Sequence, residues 1–173
     1  MSWSSLRAIA VLITIFGLSG CGFEPLHGKK DSYWSVPEMA AIKIASIEDR
    51  NGQLLRNELL DRLTPSGQPA RSQYVLRVKA TESASSLGIR KDATASRANL
   101  LAVATYTLEE NGKILTTGTA NSSVSYDVLD AKFATTVAEA NASKRAAQEL
   151  AEAIATHVAS FFSCRRQPGC TQR

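Results

Sequence analysis

From Asp130 to Phe162 the chain runs without a glycine or a proline, and it is rich in alanine. Such a stretch predicts one continuous helix, because alanine is the strongest helix former and the two main breakers are absent. At ~1.5 Å per residue the helix is about 50 Å long, enough to span a small domain. Leu150, Ile154, Val158 and Phe161 make its apolar stripe; Lys144, Arg145, Gln148, Glu149 and Glu152 include its wet side. The alanines allow a close approach to a sheet.

The preceding segments supply that sheet. Ala40–Ile47 alternates in the manner of a strand, with Ile42 and Ile44 on one side. Glu48 to Gly52 reads as a turn with capping residues. Leu55, Leu59 and Leu63 recur at helical spacing, with Leu54 and Leu60 beside them and Arg56, Asn57, Asp61 and Arg62 opposite. Pro65-Ser66-Gly67 stops this helix. Tyr74–Ala80 is a second strand, with Tyr74, Leu76 and Val78 on one face. Residues 81–98 are less regular. Leu100–Leu108 is a third strand, Asn111-Gly112 a hairpin turn, and Lys113 to about Tyr126 a fourth. The expectation is an α+β fold of order β-α-β-β-β-α. Two helices pack on one face of a mixed four-stranded sheet. The other face, rich in Ser and Thr, is left to water or a partner.

The first residues read as a targeting segment. Arg7 precedes an apolar run, Ala8–Gly17, and then Leu18-Ser19-Gly20-Cys21. This is the layout of a secretory signal whose cut site is a bacterial lipobox. The apolar run is short for a membrane span, which needs roughly 20 residues. The expectation is removal of residues 1–20, acylation of Cys21, a tether over 21–38, a folded domain over 39–163 and a tail over 164–173. Several acyl chains hold a protein firmly at a membrane, since each buried methylene contributes ~0.8 kcal/mol. Gly22, rather than Asp, follows the cysteine and favours the outer membrane.

The formal charge of +4 is mild and dispersed, and only 6% of residues are aromatic. Neither a basic stripe nor a stacking platform for nucleic acid is present. In an exported chain, Cys164 and Cys170, separated by Pro168-Gly169, are candidates for a disulfide. Two cysteines without further ligands do not make a zinc site. The only histidines are His27 and His157. No nucleophile elbow or phosphate-binding glycine loop appears. The pairs Glu48-Asp49 and Glu109-Glu110 sit at turns, where solvated acids are common. No catalytic residue, metal or cofactor is assigned. The binding candidates are Arg90, Lys91 and Arg97, since arginine suits phosphate through paired charge-assisted hydrogen bonds.

The segment Cys21-Gly22-Phe23-Glu24-Pro25-Leu26-His27-Gly28 resembles the start of the alphaproteobacterial LptE family, lipopolysaccharide-assembly lipoproteins, with His27 where members typically carry Tyr. The resemblance continues through Leu54–Leu59, Tyr74–Leu76, Leu87–Arg97, Ser125–Asp127, Phe133–Thr135 and Ala138–Ala140. It implies the same two-helix, four-stranded fold. It also implies a non-enzymatic, palmitate-bearing outer-membrane lipoprotein, facing the periplasm or seated in a barrel lumen. The implied partners are the LptD barrel, in a one-to-one complex, and lipopolysaccharide. By the same resemblance Arg90 matches a lipopolysaccharide-binding position, and Lys144 or Arg145 a second one on the last helix. The alternative is a lipoprotein partner of a phospholipid-trafficking or cell-wall machine.

Overall fold

The computed structural model describes residues 36–89 and 95–166. A 3-10 turn, Pro37–Ala41, leads into β1 (Ile42–Ile44), α1 (Arg50–Leu63), β2 (Tyr74–Ile89), β3 (Ala95–Glu110), β4 (Lys113–Asp127) and α2 (Lys132–Arg166). The sheet order follows the chain, β1-β2-β3-β4. β1 runs parallel to β2 across α1, and the two remaining pairs are antiparallel. The α+β architecture and element order are those expected.

Even-numbered residues of the long strands face the helices. Tyr74 and Leu76 of β2, Leu100, Ala102, Ala104, Tyr106 and Leu108 of β3, and Ala120 and Val124 of β4 are all buried. α1 contributes Leu55, Leu59 and Leu63, and α2 contributes Leu150, Ile154, Val158 and Phe162. The apolar stripe of α2 ends on Phe162, 1% exposed, rather than on the half-buried Phe161. The stripe advances by four from Leu150, and Phe162 keeps that step. Alanines fill the rest of the seam: Ala142, Ala146, Ala147, Ala151 and Ala155 meet the small residues Ala102, Ala104 and Ala120 in one core.

Three boundaries differ from the expectation. β1 has three residues rather than eight, because Ile47 turns inward and the chain rises into α1. Gly52 lies in the first turn of α1, not in the connecting turn; a Cβ there would sit 2.6 Å from Ile47 Cγ2. β2 continues to Ile89 and β3 begins at Ala95, across residues that read as irregular. Their pairing is continuous from Tyr74↔Glu110 to Ser86↔Ala98, with bulges at Gly88 and Ile89. Ser83–Ser86 are exposed. No core lies beneath them, so no apolar alternation marks that part of the strand.

Candidate functional site

The sheet has two unlike faces. The helices cover most of the even-numbered face, leaving its far end at Ala84 and Ser86 exposed. The odd-numbered face carries Thr81, Ser83 and Ser85 of β2, Thr105 and Thr107 of β3, and Thr117, Thr119, Asn121, Ser123 and Ser125 of β4. Among the described residues no helix or strand covers it. Its polar groups bond across strands: Asn99 donates to Ser123 Oγ at 2.9 Å and accepts from Ser125 Oγ at 3.3 Å. Leu101, 44% exposed, is the large apolar side chain within this field.

The two ends of the domain also differ. At one end α2 finishes beside the 3-10 turn. Arg166 is paired with Glu38, and Arg165 Nη2 lies 3.3 Å from Glu110 Oε2. Gln73 Nε2 donates to Glu110 Oε1 at 2.9 Å. These contacts hold the Glu38 and Glu110 carboxyls below the usual range, Glu38 chiefly through the Arg166 hydrogen bond and Glu110 chiefly through Gln73, with Arg165 adding to it. Cys164 is half-buried and disulfide-bonded. Cys170, its expected partner, lies outside the described residues.

The opposite end gathers the β2–β3 connection, the end of β4 and the start of α2. Arg90 and Lys91, and likewise Cys21, lie outside the described residues. Arg97 alternates with buried Ala98 and points to the open face, where its Nε stands 3.4 Å from Asp127 Oδ1. Leu129, three residues ahead of α2, and Phe133 and Val137 in its first two turns are exposed apolar side chains, with Phe133 83% exposed. Thr135 Oγ1 fixes that start by bonding both the N–H and the carbonyl of Leu129, each at 2.9 Å.

Lys144 and Arg145 diverge. Arg145 Nη2 donates to the backbone carbonyl of Ser125 at 3.3 Å and caps a group of the edge strand β4. Lys144 instead lines a cleft of about 420 Å³ between the start of α1, the middle of β2 and α2. Arg97 and Lys144 therefore stand on opposite sides of the sheet and do not converge.

The cleft holds residues that the sequence reading missed. Glu82 stands on the core-facing side of β2, in phase with Tyr74, Leu76 and Val78. Its Oε2 accepts from Asn51 Nδ2 at 2.8 Å and from Ser143 Oγ at 3.1 Å, tying α1 and α2 to the strand. A charged residue in apolar phase was the available signal. The serine-rich run that follows hides it, because apolar alternation stops at Ala80 and leaves Glu82 outside the legible strand.

Among the described residues no group of His, Cys, Asp and Glu is placed to hold a metal ion, and no helix is long and apolar enough to cross a membrane. The sequence profile of the family described as LptE, lipopolysaccharide-assembly, matches residues 39–158. A chain from Caulobacter crescentus CB15 described as a lipoprotein is 28% identical; the match covers 76% of this chain and 98% of that one, with a TM-score of 0.62. A minor lipoprotein from Acinetobacter baumannii (20% identity, coverage 70% and 92%, TM-score 0.57) has the same fold. So does the rare lipoprotein B of Shewanella oneidensis, at 14% identity, coverage 73% and 98%, and TM-score 0.58. No curated protein matches the chain in sequence.

Proposed function

The chain belongs to the LptE lipopolysaccharide-assembly family, and from that membership we propose that it is a non-enzymatic lipoprotein that plugs the LptD barrel of the outer membrane. Its role there is to help the barrel assemble and to take part in moving lipopolysaccharide to the outer leaflet. The signal over residues 1–20 is removed, Cys21 carries the acyl chains, the tether that follows ends before Val36, which is buried in the core, and Cys164 pairs with Cys170.

One observation carries the plug reading: a sheet covered on one face by helices and open on the other through a field of hydroxyl and amide side chains. The lumen wall of a membrane barrel is polar. Thr, Ser and Asn offer it both donors and acceptors, and Arg77, Lys79 and Arg97 on the same face add cations. Arg90 and Lys91, with Arg97 close by in sequence, supply cations for lipid A phosphates. The exposed side chains of Leu129, Phe133 and Val137, ahead of and within the first turns of α2, offer apolar surface to acyl chains.

The test is recovery of the tagged chain from outer membranes in mild detergent. The expected result is one barrel per chain. Purification of the chain alone, with barrel present in the same membranes, removes the plug reading. Arg90→Ala should weaken lipopolysaccharide binding about tenfold, a loss of ~1.4 kcal/mol, with fold and barrel pairing intact. An unchanged titration returns Arg90 to the role of a solvated loop residue.

A further inference from the structure

The cleft between α1, β2 and α2 has an electrostatic composition that the plug role leaves unused. Glu82 is half-buried on the core-facing side of the sheet. Both of its described hydrogen bonds come to Oε2, and no donor among the described residues reaches Oε1. Among the described residues no cation pairs with this carboxylate. Two cations, Arg50 and Lys144, line the same cleft, and neither makes an ion pair among the described residues. Glu139 is the fourth charged residue on its wall. Glu82 is half-buried in the cleft while Arg50, Glu139 and Lys144 are exposed on its walls, so all four charges are within reach of a ligand.

We propose that this cleft binds a zwitterionic phosphoethanolamine group, its ammonium on Glu82 Oε1 and its phosphate between Arg50 and Lys144. The composition decides between ligand classes. Two carboxylates cancel two cations, so the cleft has no net charge with which to attract a simple anion or a simple cation. A ligand carrying both signs a few bonds apart satisfies each wall at once. An ammonium has three donors and no acceptor, which matches the open oxygen of a carboxylate whose other oxygen is filled. A phosphate takes charge-assisted hydrogen bonds from the guanidinium and the lysine ammonium. The volume, about 420 Å³, lies within the usual range of ligand sites, about 300–1,000 Å³. The Asn51 and Ser143 bonds fix the Glu82 carboxyl before any ligand arrives, so little ordering is left to binding. This inference stands on the cleft alone and does not depend on the role of Arg90 or on the barrel.

The test uses the full chain in a maltoside detergent. The amide signals of Asn51, Glu82 and Ser143 are followed by NMR while O-phosphorylethanolamine, ethanolamine or inorganic phosphate is added. Phosphorylethanolamine should bind at least about tenfold more tightly than either half. Glu82→Gln keeps an oxygen for Asn51 and Ser143 and so retains the clamp. It should reduce phosphorylethanolamine to the affinity of phosphate. Arg50→Gln combined with Lys144→Gln should reduce it to that of ethanolamine. Equal binding of phosphate and phosphorylethanolamine, no effect of Glu82→Gln, or no response to any of the three overturns the proposal. Nanodiscs then identify the source. A preference for phosphatidylethanolamine over phosphatidylglycerol bilayers assigns a membrane headgroup. A response confined to the soluble compound assigns a free or sugar-borne group.

Discussion

Asp49 enters α1 with φ 67° and ψ 162°, a region that side chains with a Cβ seldom occupy. Its carboxyl caps no helix N–H, so the side chain gains nothing there to offset the strain. Such a conformation costs ~1–3 kcal/mol. Glycine relieves it and gives back roughly 0.5–1 kcal/mol in chain entropy. Asp49→Gly is therefore expected to stabilise the fold by about 1 kcal/mol, read as a higher urea midpoint at unchanged slope. Gly118 makes the opposite case. It pairs with Tyr106 across β3 and β4, and a Cβ there would overlap the phenol end of that ring. Gly118→Ala is expected to cost ~1–3 kcal/mol by overpacking. Combining it with Tyr106→Leu should recover part of the loss in a double-mutant cycle. The Asn111-Gly112 turn was legible from its dipeptide, and both residues show the positive φ it requires, 51° and 79°. Asp49 and Gly118 were not legible, because each answers to a neighbour or a path set by the whole fold.

At the scale of elements, α2 is held by close approach rather than by large side chains. Ala142, Ala146 and Ala151 are fully buried. Ala151→Leu adds volume where helix and sheet have none to give. It is expected to lower stability by at least ~1–3 kcal/mol, measured as a drop in Tm. Helix and strand identities could be read from periodicity, since 3.6- and 2-residue periods are local properties of adjacent residues. Lengths could not. β2 stays a strand through Ser83, Ser85 and Ser86 because β3 supplies hydrogen-bond partners residue by residue. That pairing leaves no trace in apolar pattern where nothing is buried. The error had a consequence for the site, since Glu82 falls in the part of β2 that was missed.

For the molecule as a whole, the last turn of α2 clasps the first turn of the domain through Arg166–Glu38, and Arg165 and Gln73 hold Glu110. Both carboxyls have lowered pKa values in the folded state. Their contribution is therefore present above the ordinary carboxylate value, 4.5, and is lost as pH falls below it through the folded value. Glu38→Gln should lower Tm slightly near neutrality and leave it unchanged once the carboxyl is protonated, so that Tm falls less steeply through the acid range. The arginine partners are exposed and the carboxylates only partly covered, so added salt should shrink the difference. The open face gives a separate expectation. Thr119→Arg, placed opposite Thr105 in the middle of that face, should leave Tm within about a degree, because exposed substitutions usually shift stability by under ~0.5 kcal/mol. The same change should reduce barrel recovered per chain in the outer-membrane preparation.

The sequence by itself determined the kinds and order of the elements, the helix-facing phase of β2, and the existence of a hydroxyl-rich face, since all of these follow from the alternation of neighbouring residues. Tertiary structure alone decided how far β2 and β3 run, which step of α2 enters the core, and that Arg97 and Lys144 part to opposite sides while Arg145 caps the edge of β4. Those outcomes depend on hydrogen bonds and contacts between residues far apart in the chain. No window of adjacent residues records which distant partner a strand, a carboxylate or a guanidinium will meet.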